Sequence, residues 1–201
     1  MTTITSPPQR VNGPISDLFQ FTVEHYERMG AAGILTEDDR VELINGLVVT
    51  KMTKGPPHTA ALIDTRDTLL PLIPPGWHLQ TEAPVRIPNY DEPEPDLAVV
   101  QGKARDYVAL NRPPDASEVT LVIEIAESSL ARDRSDKWAA YASGGIPVYW
   151  IVNLVDRRVE VYTDPGPAGY ASRKDFPSGQ QVPVVIDGRQ GGQIAVDDIL
   201  P

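Results

Sequence analysis

The chain has no cysteine, only three histidines, and no apolar stretch approaching the roughly 18 residues of a membrane-spanning helix. Without cysteine there is no disulfide framework, no thiolate zinc site and no cysteine nucleophile. Three scattered histidines also argue against a histidine-rich metal site. Met1 to Pro14 lacks the apolar core and cationic start of a signal peptide, so the expected setting is soluble and cytoplasmic. Basic residues are scarce: 18 Lys and Arg face 28 Asp and Glu, for a net charge of −10 and a pI near 4.7. That balance is awkward for a protein that handles a polyanion, and it shifts any such contact to a local basic or metal-filled cleft. A phosphate-cradling glycine loop is missing too. There is no Walker pattern, and Gly144-Gly145 follows a helix instead of opening one.

What is present reads as one well-buried domain of 201 residues with a short appendage. Residues 1–14, rich in Ser, Thr, Gln and Pro, read as a flexible leader, and residues 15–201 as a single domain. Val23, Tyr26 and Met29 recur at helical spacing and Gly30 with Gly33 end that segment. Val41 to Ile44 and Leu47 to Met52 flank Asn45-Gly46, a pair suited to a type I′ hairpin turn. A second helix follows Pro56-Pro57, with Leu62, Thr65, Leu69 and Leu72-Ile73 on one face. Trp77 to Ile87, broken at Pro84, and Pro95 to Val100 read as strands, and residues 101–118 as a polar excursion. Val119 to Ile123 form a further strand closed by Glu124. Arg132 to Tyr141 reads as a helix capped by Asp133 and stopped by Gly144-Gly145. Val148 to Val152 and Arg158 to Tyr162 make a hairpin, and residues 163–201, with short β-like runs, are expected to cover a sheet edge.

Chemistry concentrates in three of these segments. Asp96 opens one apolar run, Glu124 closes another, and Lys137 lies on the helix that follows. Hydrolysis of a phosphodiester needs neutralised phosphate charge, an activated water and a stabilised leaving oxygen. Two carboxylates can hold Mg²⁺, which takes hard oxygen ligands and keeps several waters, and a lysine adds a compact positive charge. Each residue has a plainer reading. A carboxylate at a strand end is commonly just solvated, Lys137 could pair with Asp133 four residues away on a helix surface, and Glu42 could occupy the wet face of a hairpin.

Taken in order, Val41 to Gly46, Pro57-His58, Pro95 to Val100, Val122 to Ser129, Asp133 to Lys137 and Gly145 to Val152 resemble the Uma2 or DUF820 family of bacterial proteins, placed in the PD-(D/E)XK restriction-endonuclease-like superfamily. The resemblance implies an α/β fold with a mixed β-sheet flanked by helices, here carrying an N-terminal helix and a β-hairpin as additions. It implies Mg²⁺-dependent endonuclease chemistry, with Mn²⁺ as a substitute, on nucleic acid and in the first instance DNA, and a homodimer. Asp96 and Glu124 take the two acidic motif positions as metal ligands, and Glu42 an upstream acidic one. The lysine expected two residues after the second acid is replaced by Ala126, and the family pattern carries its lysine at the helical position of Lys137. His58 either touches the scissile phosphate or orders its loop. Two other functions stay open: a catalytically idle binding or assembly member of the same fold, and a hydrolase of small phosphate esters.

Overall fold

Alternation of apolar residues along the central strands sorts side chains onto two faces of one sheet. The computed structural model describes residues 18–201, so the leader expected at 1–14 lies outside the described residues. Helix α1 (Val23–Ala31) starts at Thr22, whose hydroxyl accepts the His25 backbone N–H at 3.3 Å. Strands β1 (Val41–Ile44) and β2 (Leu47–Thr50) pair antiparallel. Their turn has φ of 50° at Asn45 and 70° at Gly46, the two positive values that a type I′ turn requires. Helix α2 (Pro56–Leu69) begins on its proline pair, where a missing N–H costs nothing.

The main sheet runs β3 (Trp77–Thr81), β4 (Leu97–Gln101), β5 (Val119–Ala126), β6 (Val148–Asn153), β7 (Arg158–Gly166) and β8 (Gly169–Pro177), neighbours pairing in that order. Only β5 and β6 are parallel; the other pairs are antiparallel. A parallel pair needs a crossover, and the chain supplies one continuous helical passage: α4 (Leu130–Arg132), a π turn (Asp133–Lys137) and α5 (Trp138–Ser143). Helix α3 (Ala104–Leu110) joins β4 to β5 by a surface route, and β9 (Gln181–Ile186) pairs with β10 (Arg189–Ala195) as a separate hairpin. The result is an α/β fold with a mixed, open sheet flanked by helices.

Leu121, Ile123 and Ile125 of β5 point to the side covered by α2 and β9, against Leu62, Leu69, Val182 and Val184. Val122 and Ala126 point the other way, toward Tyr141 of α5 and Tyr149 of β6. All eight residues of β5 are buried, as expected for a central strand covered on both faces.

Several expectations are corrected. The strand predicted over 77–87 ends at Thr81. Glu82 has a positive φ of 47°, and beyond Pro84 only isolated bridges remain, Arg86 to Asp115 and Ile87 to Asp91. The excursion at 101–118 contains α3, which buries none of its residues and so left no apolar stripe to read. Glu124 does not close β5, which continues to Ala126, and Asp133 caps nothing because helical backbone already begins at Leu130. The C-terminal stretch does more than cover an edge. It supplies the edge strand β8 and a hairpin whose Val182, Val184 and Ile186 join the core on one face.

Two stability predictions follow from this packing. Gly169 has φ of 110°, and a Cβ there would overlap the Trp138 ring next to Lys137. Gly169→Ala should therefore destabilise the fold by about 1–3 kcal/mol, read as a lower midpoint in urea. Glu92 is buried; that burial, with Glu27 and Glu94 nearby and Arg86 opposing, pushes its carboxyl from 4.5 up to about 7. The folded state then keeps a proton that the unfolded chain releases, so stability falls as pH rises from 4.5 to about 7. Glu92→Gln should match the wild type near pH 4 and exceed its stability at pH 8 by on the order of 2 kcal/mol.

Candidate active site

Antiparallel register brings the first two carboxylates together. Leu97 lies opposite Ile123 where β4 meets β5, so Asp96, one step before, falls beside Glu124, one step after. By strand alternation both share the sheet face of Ala98 and Val122. The Asp96 carboxylate also accepts the Ile125 backbone N–H at 2.7 Å, which locks it against the end of β5. The parallel step from β5 to β6 then carries the crossover helix over this face, and Lys137 comes down onto it. Its Nζ lies 2.8 Å from Glu124 Oε1 and 3.4 Å from Glu42 Oε2. Glu42 reaches in from the β1–β2 hairpin and accepts the Glu94 backbone N–H at 3.2 Å.

All five residues singled out from the sequence thus line one cleft: Glu42, His58, Asp96, Glu124 and Lys137. His58 sits in the first turn of α2 and its Nε2 is 3.1 Å from Asp96 Oδ2. Glu42 is buried, so it does not lie on the wet face of a hairpin. Lys137 is buried too, and no contact with Asp133 accounts for it.

Three contributors were not singled out. Lys54 donates to Asp96 Oδ1 at 2.7 Å and also pairs with Glu82. Tyr141 donates to Glu124 Oε1 at 2.6 Å. Tyr141 had a readable signal, since it follows Lys137 by four residues on the same helix and therefore shares its face. Lys54 had none, because it sits on an irregular link between β2 and α2. The third is Asp133, buried on the same wall.

The electrostatics divide the two motif acids. For Asp96, burial alone would raise the carboxyl, but the hydrogen bond and charge of His58, with Lys54, outweigh it and hold the group down at about 2. For Glu124 burial dominates and pushes the carboxyl up to about 8, with Lys137 opposing and Asp96, Asp133 and Glu42 adding repulsion. Burial likewise raises Asp133 to about 6. Burial works against the Lys137 ammonium, yet Glu124, Glu42 and Asp133 together keep it well above the ordinary lysine range. Lys137 is therefore a fixed positive charge at neutral pH and not a base.

Around the cleft, Glu42, Glu94, Asp96, Glu124, Glu127 and Asp133 face Lys51, Lys54, Arg132 and Lys137. The formal excess is two negative charges. Among the described residues no three His, Asp or Glu side chains stand close enough to chelate a metal ion directly. The oxygens available nonetheless suit a hard cation that keeps most of its waters. Among the described residues Glu124 makes its hydrogen bonds through Oε1, and Asp133 Oδ1 is buried without a partner.

The crossover helix is pinned from its far side. Arg134, on the π turn, pairs with Glu160 of β7, a fully buried carboxylate that also accepts from Asn153 at 2.7 Å and Tyr162 at 2.8 Å. π turns inserted in α-helices recur at functional sites because they change which side chains face inward. Here Asp133 and Lys137, at the two ends of the turn, are its buried members.

The model of the Uma2 family, described as "Putative restriction endonuclease", matches residues 23–196. A crystal structure from Anabaena variabilis, described as a "putative nuclease belonging to DUF820", superposes with a TM-score of 0.68 at 15% identity, covering 89% of this chain and 97% of that one. At that identity the likeness speaks for the fold alone. No curated protein matches the sequence. Because the family model spans all of the sheet and every residue of the cleft, the chain belongs to the Uma2 family.

Proposed function

We propose that the protein is a Mg²⁺-dependent endonuclease that hydrolyses DNA phosphodiester bonds at the cleft between Asp96, Glu124 and Lys137. The observation that carries this reading is the seat of the Lys137 amine, 2.8 Å from Glu124 although it comes from a different element than the family superclass would suggest. Membership of a family described as "Putative restriction endonuclease" supports it.

Asp96 and Glu124 would hold the cation, with Glu42 tying Lys137 from the other side. A divalent cation bound there supplies charge neutralisation and a more acidic water. The chain's own groups do the remaining work. Lys137, kept protonated by its carboxylate neighbours, sets a positive charge beside the point where negative charge builds on the phosphorus oxygens, in a site dry enough to make that charge count. Lys54 and His58, both hydrogen-bonded to Asp96 on the cleft wall, are the groups that would contact a phosphate oxygen beside the cation. Tyr141 orients Glu124 through its hydroxyl. The cleft's formal excess of two negative charges explains how an acidic protein could engage DNA only together with a divalent ion. A homodimer would present two such clefts to the two strands.

Plasmid nicking with Mg²⁺ and with Mn²⁺, beside Asp96→Asn and Glu124→Gln, tests the reading: the wild type should nick and both variants should not. A folded wild type that cleaves no nucleic acid would favour an idle binding or assembly role, and release of phosphate from small esters would favour the third function. Lys137→Met should abolish cleavage while Mn²⁺ affinity holds or rises, because the cleft loses a competing cation. It should also destabilise the fold by about 3 kcal/mol through the stranded carboxylates. Adding Ala126→Lys, on the same strand face as Glu124, should restore part of the activity. DNA affinity should be weak in EDTA and, with Mg²⁺ present, fall steeply between 50 and 200 mM salt, by roughly 10-fold or more.

A further inference from the structure

Asp133 takes no part in the mechanism above, yet it is 1% exposed on the wall of the same cleft. Its backbone is fully employed in the fold. The N–H donates to Ser129 O at 3.0 Å and the carbonyl accepts the Tyr149 hydroxyl at 3.0 Å. The side chain is only half employed: Oδ2 accepts from Ser129 Oγ at 2.6 Å, while Oδ1 is buried with no partner among the described residues. Leaving a carboxylate oxygen dry and unpaired is costly, and such atoms are rare in folded proteins.

The obvious internal partner is Lys137, four residues on, but its ammonium is committed to Glu124 and Glu42 and makes no ion pair with Asp133. The Lys137 charge attracts Asp133 from beyond ion-pair distance while Asp96 and Glu42 repel it, so the carboxylate lies within the field of the cleft with no cation in direct contact among the described residues. A buried acceptor beside two acids, with its other oxygen anchored by a serine, is arranged to receive a donor from outside the chain.

We propose that Asp133 Oδ1 accepts a hydrogen bond from a water of the hydrated divalent cation held by Asp96 and Glu124, and so fixes the cation through a bridging water. The proposal rests on the cation reading of the cleft. Direct coordination is disfavoured, since no three acidic or histidine side chains among the described residues are close enough to chelate together. Mg²⁺ and its substitutes keep several waters, so a third anchor acting through one of them suits the ion.

Titration calorimetry of the full chain with MnCl₂ separates the possibilities without any cleavage assay. Asp96→Asn should lose binding, and Asp133→Asn should bind about 10-fold more weakly than the wild type, as is usual when a group that orients a metal's surroundings is removed. Should Asp133→Asn fail to fold, Ser129→Ala, which frees the anchored oxygen, should still weaken binding several-fold. Equal Mn²⁺ affinity in the wild type and the folded Asp133 variant, with binding lost in Asp96→Asn, would leave Asp133 a packing residue and overturn the proposal alone. No Mn²⁺ binding by the wild type would remove the cation reading itself, and the proposal with it.

Discussion

A protonated lysine enclosed by carboxylates is the constraint on which the rest of the cleft depends. Glu42, Glu124 and Asp133 lie close enough to feel one another, and all three are buried. Without the Lys137 ammonium, taking three such charges out of water would cost several kcal/mol each, of order, and the site would have to protonate or open. The ammonium makes the assembly tolerable, and burial raises Glu124 and Asp133 to absorb the excess. Ion pairs of this kind are weak grounds for stability, since an apolar replacement would pack at less cost. Their persistence in the middle of an apolar sheet fits a site built for chemistry better than one built for strength.

Holding that lysine in place is the task of the topology. A parallel β5–β6 step forces a helix across the sheet face that carries Glu124, and the Arg134–Glu160 pair and the Gly169–Trp138 contact fix how that helix lies. Burial works against the Glu160 carboxylate, but hydrogen bonds from Arg134, Asn153 and Tyr162 keep it ionised. The same helix thus has a structural ion pair on one side and the cleft on the other, carried by the consecutive residues Arg134 and Asp133. Adjacent positions on a helix diverge by about 100°, so one turn can serve both.

Much of this was legible in the sequence because it rests on period and order. The Asn45-Gly46 hairpin, α2 and the central strands follow from turn chemistry and apolar spacing, and Asp96, Glu124 and Lys137 from their order along the chain, although Glu124 lies within β5 and not at its end. What escaped notice lacks a local signature. Helix α3 has no buried face, the β9–β10 hairpin shows only as short β-like runs whose valines are seen to pack with α2 once the fold is in view, and Lys54 enters from irregular backbone. Asp133 was misread for a different reason. Asp before an apolar helical run usually marks a cap, and only the early start at Leu130 turns it inward.

Relocating the amine from the strand to the helix has a physical consequence. A lysine at position 126 would leave β5 on the Glu124 face and share the strand's rigidity, whereas the Lys137 backbone is carried by the crossover helix and meets the sheet through its pair with Glu124. Its position therefore reports on how that helix packs. The strand alternative would also have placed a long cationic chain where Ala126, fully buried beside Tyr149 and Ile151, now closes the apolar layer. With the amine on the helix, the layer stays apolar up to Glu124, and the charge reaches the cleft wall from the crossover helix together with Asp133. Two ionisable groups then arrive on one five-residue turn, so any change in the pitch of that turn moves both at once. Residues four apart lie on one face of a helical passage, which is why Asp133 and Lys137 are presented to the cleft together.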